Sequence, residues 1–163
     1  MRIGILAHVW RASPVGWLGR TYRVEQDGEA VGTVEFGSWS ECGAIVLADR
    51  RLAIVREGFW NPKFHLERDR KRMATASSVG VFRRSFQLVQ GDEQYILGPS
   101  SAWSRTYALT RNGGLLGQIS AAGVFSRAAL IELAPELAPE LRLFAFWIVA
   151  LAWRRGAAAA AAT

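Results

Sequence analysis

Residues 135–155, PELAPELRLFAFWIVALAWRR, decide the fold. Pro139 suits the first helical position, where its missing N–H costs nothing. Glu140 suits the positive helix end. Arg154 and Arg155 suit a last turn, and Gly156 a stop just beyond it. These signals predict a helix over about 139–155. Between them Leu143, Phe144, Phe146, Trp147, Ile148, Val149, Leu151 and Trp153 leave no polar face. A helix apolar on all sides must be enclosed by lipid or by protein. The unbroken apolar run from Leu143 to Trp153 covers only about 16 Å at 1.5 Å per residue. A bilayer needs roughly 20 residues. A protein shell remains, with the helix at its centre or lying across the mouth or one face of a sheet.

The rest of the chain supplies the shell. From Thr21 it reads as short alternating segments separated by turns. In TYRVEQ, Tyr22 and Val24 share one side; Asp27-Gly28 then turns the chain into EAVGTVEF. GAIVLAD and RRLAIVRE form a second pair, KFHLERD and KRMATASS a third. VFRRSFQLVQ places Phe82, Phe86 and Leu88 on one parity, and Arg83 and Arg84 on opposite faces. It is followed by EQYILG, WSRTYALT, LLGQIS and VFSRAALIEL.

Three hairpins share one frame, either a true repeat or ordinary hairpin grammar. Tyr22-x-Val24, Asp27-Gly28, Val31-Gly32 and Val34 recur as Phe64-x-Leu66, Asp69-Arg70, Met73-Ala74 and Ala76. They recur again as Tyr107-x-Leu109, Asn112-Gly113, Leu116-Gly117 and Ile119. The frame demands inward aromatic and aliphatic side chains, a turn, and a small residue for close packing. A repeat near 40 residues raises the possibility of a propeller, but four such blades exceed the β region. Ten to twelve strands within residues 21–133 suit a closed barrel or a sandwich better, since closure removes edges. Twelve strands enclose more space than their own side chains fill, and one helix fills it. The expected fold is mainly β: a closed barrel of about twelve strands around the C-terminal helix. The expected limits are an N-terminal segment at 1–20, loop or first strand, the barrel at 21–155, and a flexible alanine tail at 156–163. ILAHVW, residues 5–10, reads equally as strand or short helix.

This pattern resembles the tubby C-terminal-like superfamily, which includes phospholipid scramblase and LURP-one-related proteins. Tyr22 to Val34, Phe64 to Ala76, Tyr107 to Ile119 and Leu143 to Arg155 carry the resemblance. It covers roughly Arg20 to Arg155 and lies nearest the compact bacterial and plant members. It implies a twelve-stranded barrel around a hydrophobic helix and a link to membranes or phosphoinositides. No phosphoinositide-binding residue of the family maps onto this chain.

Half of the residues are hydrophobic, and the net charge is +6. That bias attracts anionic surfaces. The candidate head-group site is Lys63, Arg70, Lys71 and Arg72, with Arg68 beside them and Glu67 and Asp69 subtracting charge. Phe64 and Tyr107 among bases also suit stacked nucleotides, but no nucleic-acid module is present. Cys42 is the one cysteine, so no internal disulfide forms. With His8 and His65 apart, no zinc cluster is expected. His65, between Phe64 and Leu66, is expected to face outward without a partner, and His8 to be structural. No nucleophile–base pair or phosphate-binding glycine pattern stands out. Trp10, Trp17, Trp39 and Trp60 either form an exposed patch that marks an interface or plug the barrel ends.

The expectation is a non-enzymatic binding module without cofactor or metal. It is cytoplasmic and held peripherally at anionic phospholipid or phosphoinositide. The alternative is a soluble structural or protein-interaction domain; nucleic-acid binding and an unrecognised enzyme rank below both.

Overall fold

The computed structural model describes residues 8–80 and 84–163. Phe82, Arg83 and the start of ILAHVW lie outside them. Twelve strands alternate in direction: β1 (Trp10–Val15), β2 (Thr21–Gln26), β3 (Glu29–Phe36), β4 (Gly43–Leu47), β5 (Arg50–Glu57) and β6 (Lys63–Arg68), then β7 (Lys71–Val79), β8 (Ser85–Gln90), β9 (Glu93–Pro99), β10 (Tyr107–Arg111), β11 (Gly114–Ala121) and β12 (Ala129–Leu133). Each pairs antiparallel with its sequence neighbours, and β1 pairs with β12 to close the barrel. The helix α1 (Pro139–Ala161) follows.

The repeated frame is real at the level of register. Tyr22 faces Val34, Phe64 faces Ala76 and Tyr107 faces Ile119. All three hairpins shift register at the same place, after Val24, Leu66 and Leu109. Their turn residues all have positive φ: Asp27 and Gly28, Asp69 and Arg70, Asn112 and Gly113. That conformation matches the right-handed strand twist. Gly117 meets the demand for a small residue, since a Cβ there would lie 2.0 Å from the Glu132 carbonyl oxygen.

Between the bulged hairpins lie the unbulged pairs β4–β5 and β8–β9. The pairing of β12 with β1 is their third counterpart. Trp10 faces Ile131 as Leu52 faces Ile45 and Tyr95 faces Leu88. The barrel is therefore three copies of a four-strand unit, cut open between β12 and β1. No short turn joins these two strands; the chain leaves β12 and enters the helix instead. Of the two readings for the N-terminal segment, loop or first strand, the strand holds: β1 belongs to the barrel and Trp10 is 3% exposed.

Every residue from Leu141 to Leu151 is buried. Trp147 is fully enclosed, stacked on Phe36 at 5.2 Å and edge-on to Phe64 at 5.3 Å. Its indole N–H donates to the Glu35 carbonyl at 3.2 Å. Gly43 makes room for it, since a Cβ there would lie 2.6 Å from the indole nitrogen. Arg142 also enters the core, its guanidinium 3.7 Å over the Trp10 ring. Burial pushes its pKa down.

Pro139 and Glu140 stand in the first turn as expected, but the helix does not stop at Gly156. It continues through the alanines to Ala161, so 156–161 is helix, and no basic residue lies in its last turn. Alanine is the best helix former, and one glycine is a modest cost. With 23 residues, the helix is long and apolar enough to span a bilayer by length and composition. Half of its most apolar window is buried inside the barrel.

Candidate functional site: the loop end of the barrel

An alternating barrel has two ends. At one end the hairpins close through two-residue turns: 27–28, 48–49, 69–70, 91–92 and 112–113. With the connection 134–138 these carry Asp27, Asp49, Asp69, Asp92 and Glu136 against one base, Arg70. The other end carries the longer connections 16–20, 37–42, 58–62, 80–84, 100–106 and 122–128, and the emerging helix. Its described residues include Arg20, Arg84, Arg105, Arg127, Arg154 and Arg155 against one acid, Glu41.

The large apolar side chains that are more than three-quarters exposed all lie at the loop end among the described residues. They are Trp17, Trp39, Phe59, Trp60, Trp103, Val124 and Phe125. Their positions follow the three-unit plan. Trp17, Trp60 and Trp103 are spaced by 43 residues, and their exposures are 86%, 80% and 95%. Trp39 and Phe125 are each 99% exposed and occupy equivalent loops of the first and third units. Phe82, midway between them in sequence, falls outside the described residues. The aromatics thus form an outward crown rather than plugs. Trp10 alone of the four tryptophans considered above goes to the core.

Polar contacts fix the crown's base. Arg127 donates to the Trp17 carbonyl at 3.1 Å, and Arg84 donates to the carbonyls of Ala102 and Ser104. Burial raises the Tyr107 pKa, against the opposing pull of Arg84 beside it. Glu41, at the position matching Arg84 and Arg127, takes the helix instead. Arg155 grips its two oxygens at 2.7 and 2.5 Å. That hydrogen bonding holds the Glu41 carboxyl below its ordinary range, against its partial burial. Arg154 donates to the Gly19 carbonyl at 3.0 Å, and the Trp153 indole to that of Arg105 at 3.0 Å.

The expected head-group cluster is not assembled. Lys63 begins β6 at the loop end, whereas Arg70, Lys71 and Arg72 lie at or beside the opposite turn. Roughly 17 Å of strand separates Lys63 from Arg68 at 3.3–3.4 Å per residue. All five bases are exposed, but Arg68 approaches Asp69 at 3.8 Å and Arg72 approaches Glu57 at 3.5 Å.

His65 departs from expectation. It sits on the outer wall, yet is 3% exposed and has partners. Its Nδ1 meets Thr75 Oγ1 at 3.0 Å and its Nε2 meets Glu57 Oε2 at 2.5 Å. The hydrogen bond to His65 is the main reason that the Glu57 carboxyl is held below its ordinary range. Hydroxyl, imidazole and carboxylate stand in the order of a nucleophilic triad. A nucleophile must also open onto a substrate site, and neither of two surface clefts, about 1090 and 620 Å³, is lined by these residues. Their visible role is to join β5, β6 and β7. His8 is exposed, and Cys42 lies 2.9 Å from the Ser40 hydroxyl. No group of three metal-ligating side chains occurs among the described residues.

No family model, curated protein or solved structure matches this chain. Its closed barrel of twelve antiparallel strands with one long apolar helix agrees with a tubby-like or scramblase-type fold in general terms. That architecture is compatible with a barrel-and-helix binding module.

Proposed function

We propose that the protein is a tubby-like peripheral module that docks its loop end on an anionic phospholipid surface, such as a cytoplasmic leaflet. The observation that carries this reading is the crown itself. Three structural units each present aromatic residues at one end, surrounded by six arginines and one acid. Aromatic rings favour the membrane interface. Each base close to an anionic leaflet contributes about 1 kcal/mol. Roughly threefold placement matters too. Side chains of similar reach, spread around a barrel rim, meet a plane together. A second copy of the chain is a poorer partner for this end, since two arginine-rich faces repel.

The test is co-sedimentation with vesicles of phosphatidylcholine, with and without phosphatidylserine, at low and physiological salt. Binding should need phosphatidylserine and weaken as salt rises. Replacing Trp39, Trp103 and Phe125 together by serine should reduce binding at least a hundredfold with melting unchanged. Each ring half-buried in the interface is worth about 1.4 kcal/mol or tenfold. Lys71→Glu with Arg72→Glu should change it far less. If the turn-end reversal abolishes binding and the serine variant does not, docking belongs to the other end. Absence of binding to any vesicle leaves the crown as a surface for a protein partner.

A further inference from the structure

The larger cleft holds more positive charge than its own acid balances. It lies between loops 58–62 and 100–106 and the emerging helix, and encloses about 1090 Å³. Arg56, Arg84, Arg105 and Arg155 line it, with Glu41 as its one acid. Glu41 is already engaged by Arg155, and Arg56 approaches it at 3.5 Å. Arg84 donates to the backbone carbonyls of Ala102 and Ser104. Arg105 lies 5.0 Å from the centre of the Trp153 ring. Carbonyls and rings satisfy donors without supplying a negative charge. Three guanidinium charges are left uncompensated, and the buried Nε of Arg56 has no acceptor. Much of the remaining wall is aromatic, including Phe59, Trp60, Trp103 and Trp153, with small residues such as Pro62 and Ala152 between them.

We infer that this cleft binds a single amphiphilic anion. Its carboxylate or phosphate head sits among Arg56, Arg84 and Arg105, and its hydrocarbon body lies along the aromatic wall. Guanidinium groups recognise both heads through paired N–H donors. A mostly apolar cleft with a few convergent polar groups is the usual form of a small-molecule site. The site does not depend on bilayer docking, because its ligand is a free molecule.

Intrinsic tryptophan fluorescence reads the site directly, since three tryptophans line it. The full chain is titrated with decanoate, monodecyl phosphate, decanol and inorganic phosphate, each below its aggregation threshold and without vesicles. Decanoate, decyl phosphate or both should bind saturably with one-to-one stoichiometry. Decanol and inorganic phosphate should each bind at least tenfold more weakly than the preferred anion. The tighter head identifies the natural class as carboxylate or phosphate. Arg105→Glu, at an exposed position, should weaken the anion at least tenfold while leaving decanol binding and melting unchanged. Equal affinity for decanol and decanoate, an Arg105→Glu variant that binds as the parent does, or no saturable anion binding overturns the assignment. Loss of vesicle docking with this titration intact removes only the membrane reading.

Discussion

The two ends of this barrel solve the same connection problem differently. An antiparallel hairpin closes in two residues, and the turn end does so five times. The loop end joins the same strands through five to seven residues at each connection. Closing the barrel does not require that length. At the turn end the extra chemistry is solvated and mixed in charge, acids in the turns beside exposed Arg68, Lys71 and Arg72. At the loop end it is aromatic and cationic, with rings turned away from a core that already holds eleven consecutive buried helix residues. Core packing therefore does not explain the crown. Its side chains face outward, away from that core.

The strongest way to break that contrast is through the helix that both ends share. Trp147→Asp places a carboxylate between Phe36 and Phe64 in place of a fully buried indole. A buried unpaired charge costs several kcal/mol, a large share of a typical domain's stability. The variant should be unfolded or insoluble by circular dichroism and gel filtration. Melting like the parent would mean that the helix does not support the barrel. Partial unfolding confined to one end, read by hydrogen exchange, would show that the ends are separate cooperative units.

The helix and barrel were legible in the sequence because their causes are local. Alternation, turn dipeptides and an all-apolar segment are each visible within about twenty residues. The closing strand was legible only as one of two readings, loop or first strand. β1 is defined by pairing with β12, and Trp10 meets Ile131 from the far end of the chain. His65 looked exposed by parity, but its cover comes from Glu57 and Thr75 on neighbouring strands. Lys63 and Arg70 looked adjacent because they are close in sequence, whereas a strand carries them to opposite ends. The crown did leave a trace. Trp17, Trp60 and Trp103 share the 43-residue spacing that the hairpin frames also show in their second interval. The period is legible in the strands, where alternation signals it, and hidden in loops, which have no such pattern.

A milder test concerns the turn end. Arg70 has φ 65° and Asp69 φ 50°, so the 69–70 turn holds two non-glycine residues in the left-handed region. The equivalent turns place glycine second, at Gly28 and Gly113. Arg70→Gly should therefore stabilise the protein by about 0.5–1 kcal/mol, the relief of left-handed strain less the added freedom of the unfolded chain. Urea denaturation measures the gain. The same variant sharpens the contrast between the ends, because vesicle binding should survive it. Loss of binding would return the docking site to the turn.

The smallest effect should appear at the loop end in acid. Arg155 holds Glu41 ionised below the ordinary carboxylate range. A depressed carboxylate contributes stability above its unfolded pKa and loses it as pH falls through the folded value. Glu57, held low by His65 on the barrel wall, shares the sign. Acid should therefore lower global stability through both groups, but only Glu41 ties down the emerging helix. Trp153 lies two residues from Arg155, so its assigned indole N–H resonance, bonded to the Arg105 carbonyl, reports that tie. In the parent, this signal should change as pH falls below the ordinary carboxylate range. In Glu41→Gln it should already be shifted at neutral pH and show no such step. An identical acid step in both proteins would mean that the helix end is held by Arg154 and the Trp153 indole instead, with Glu41 incidental to it.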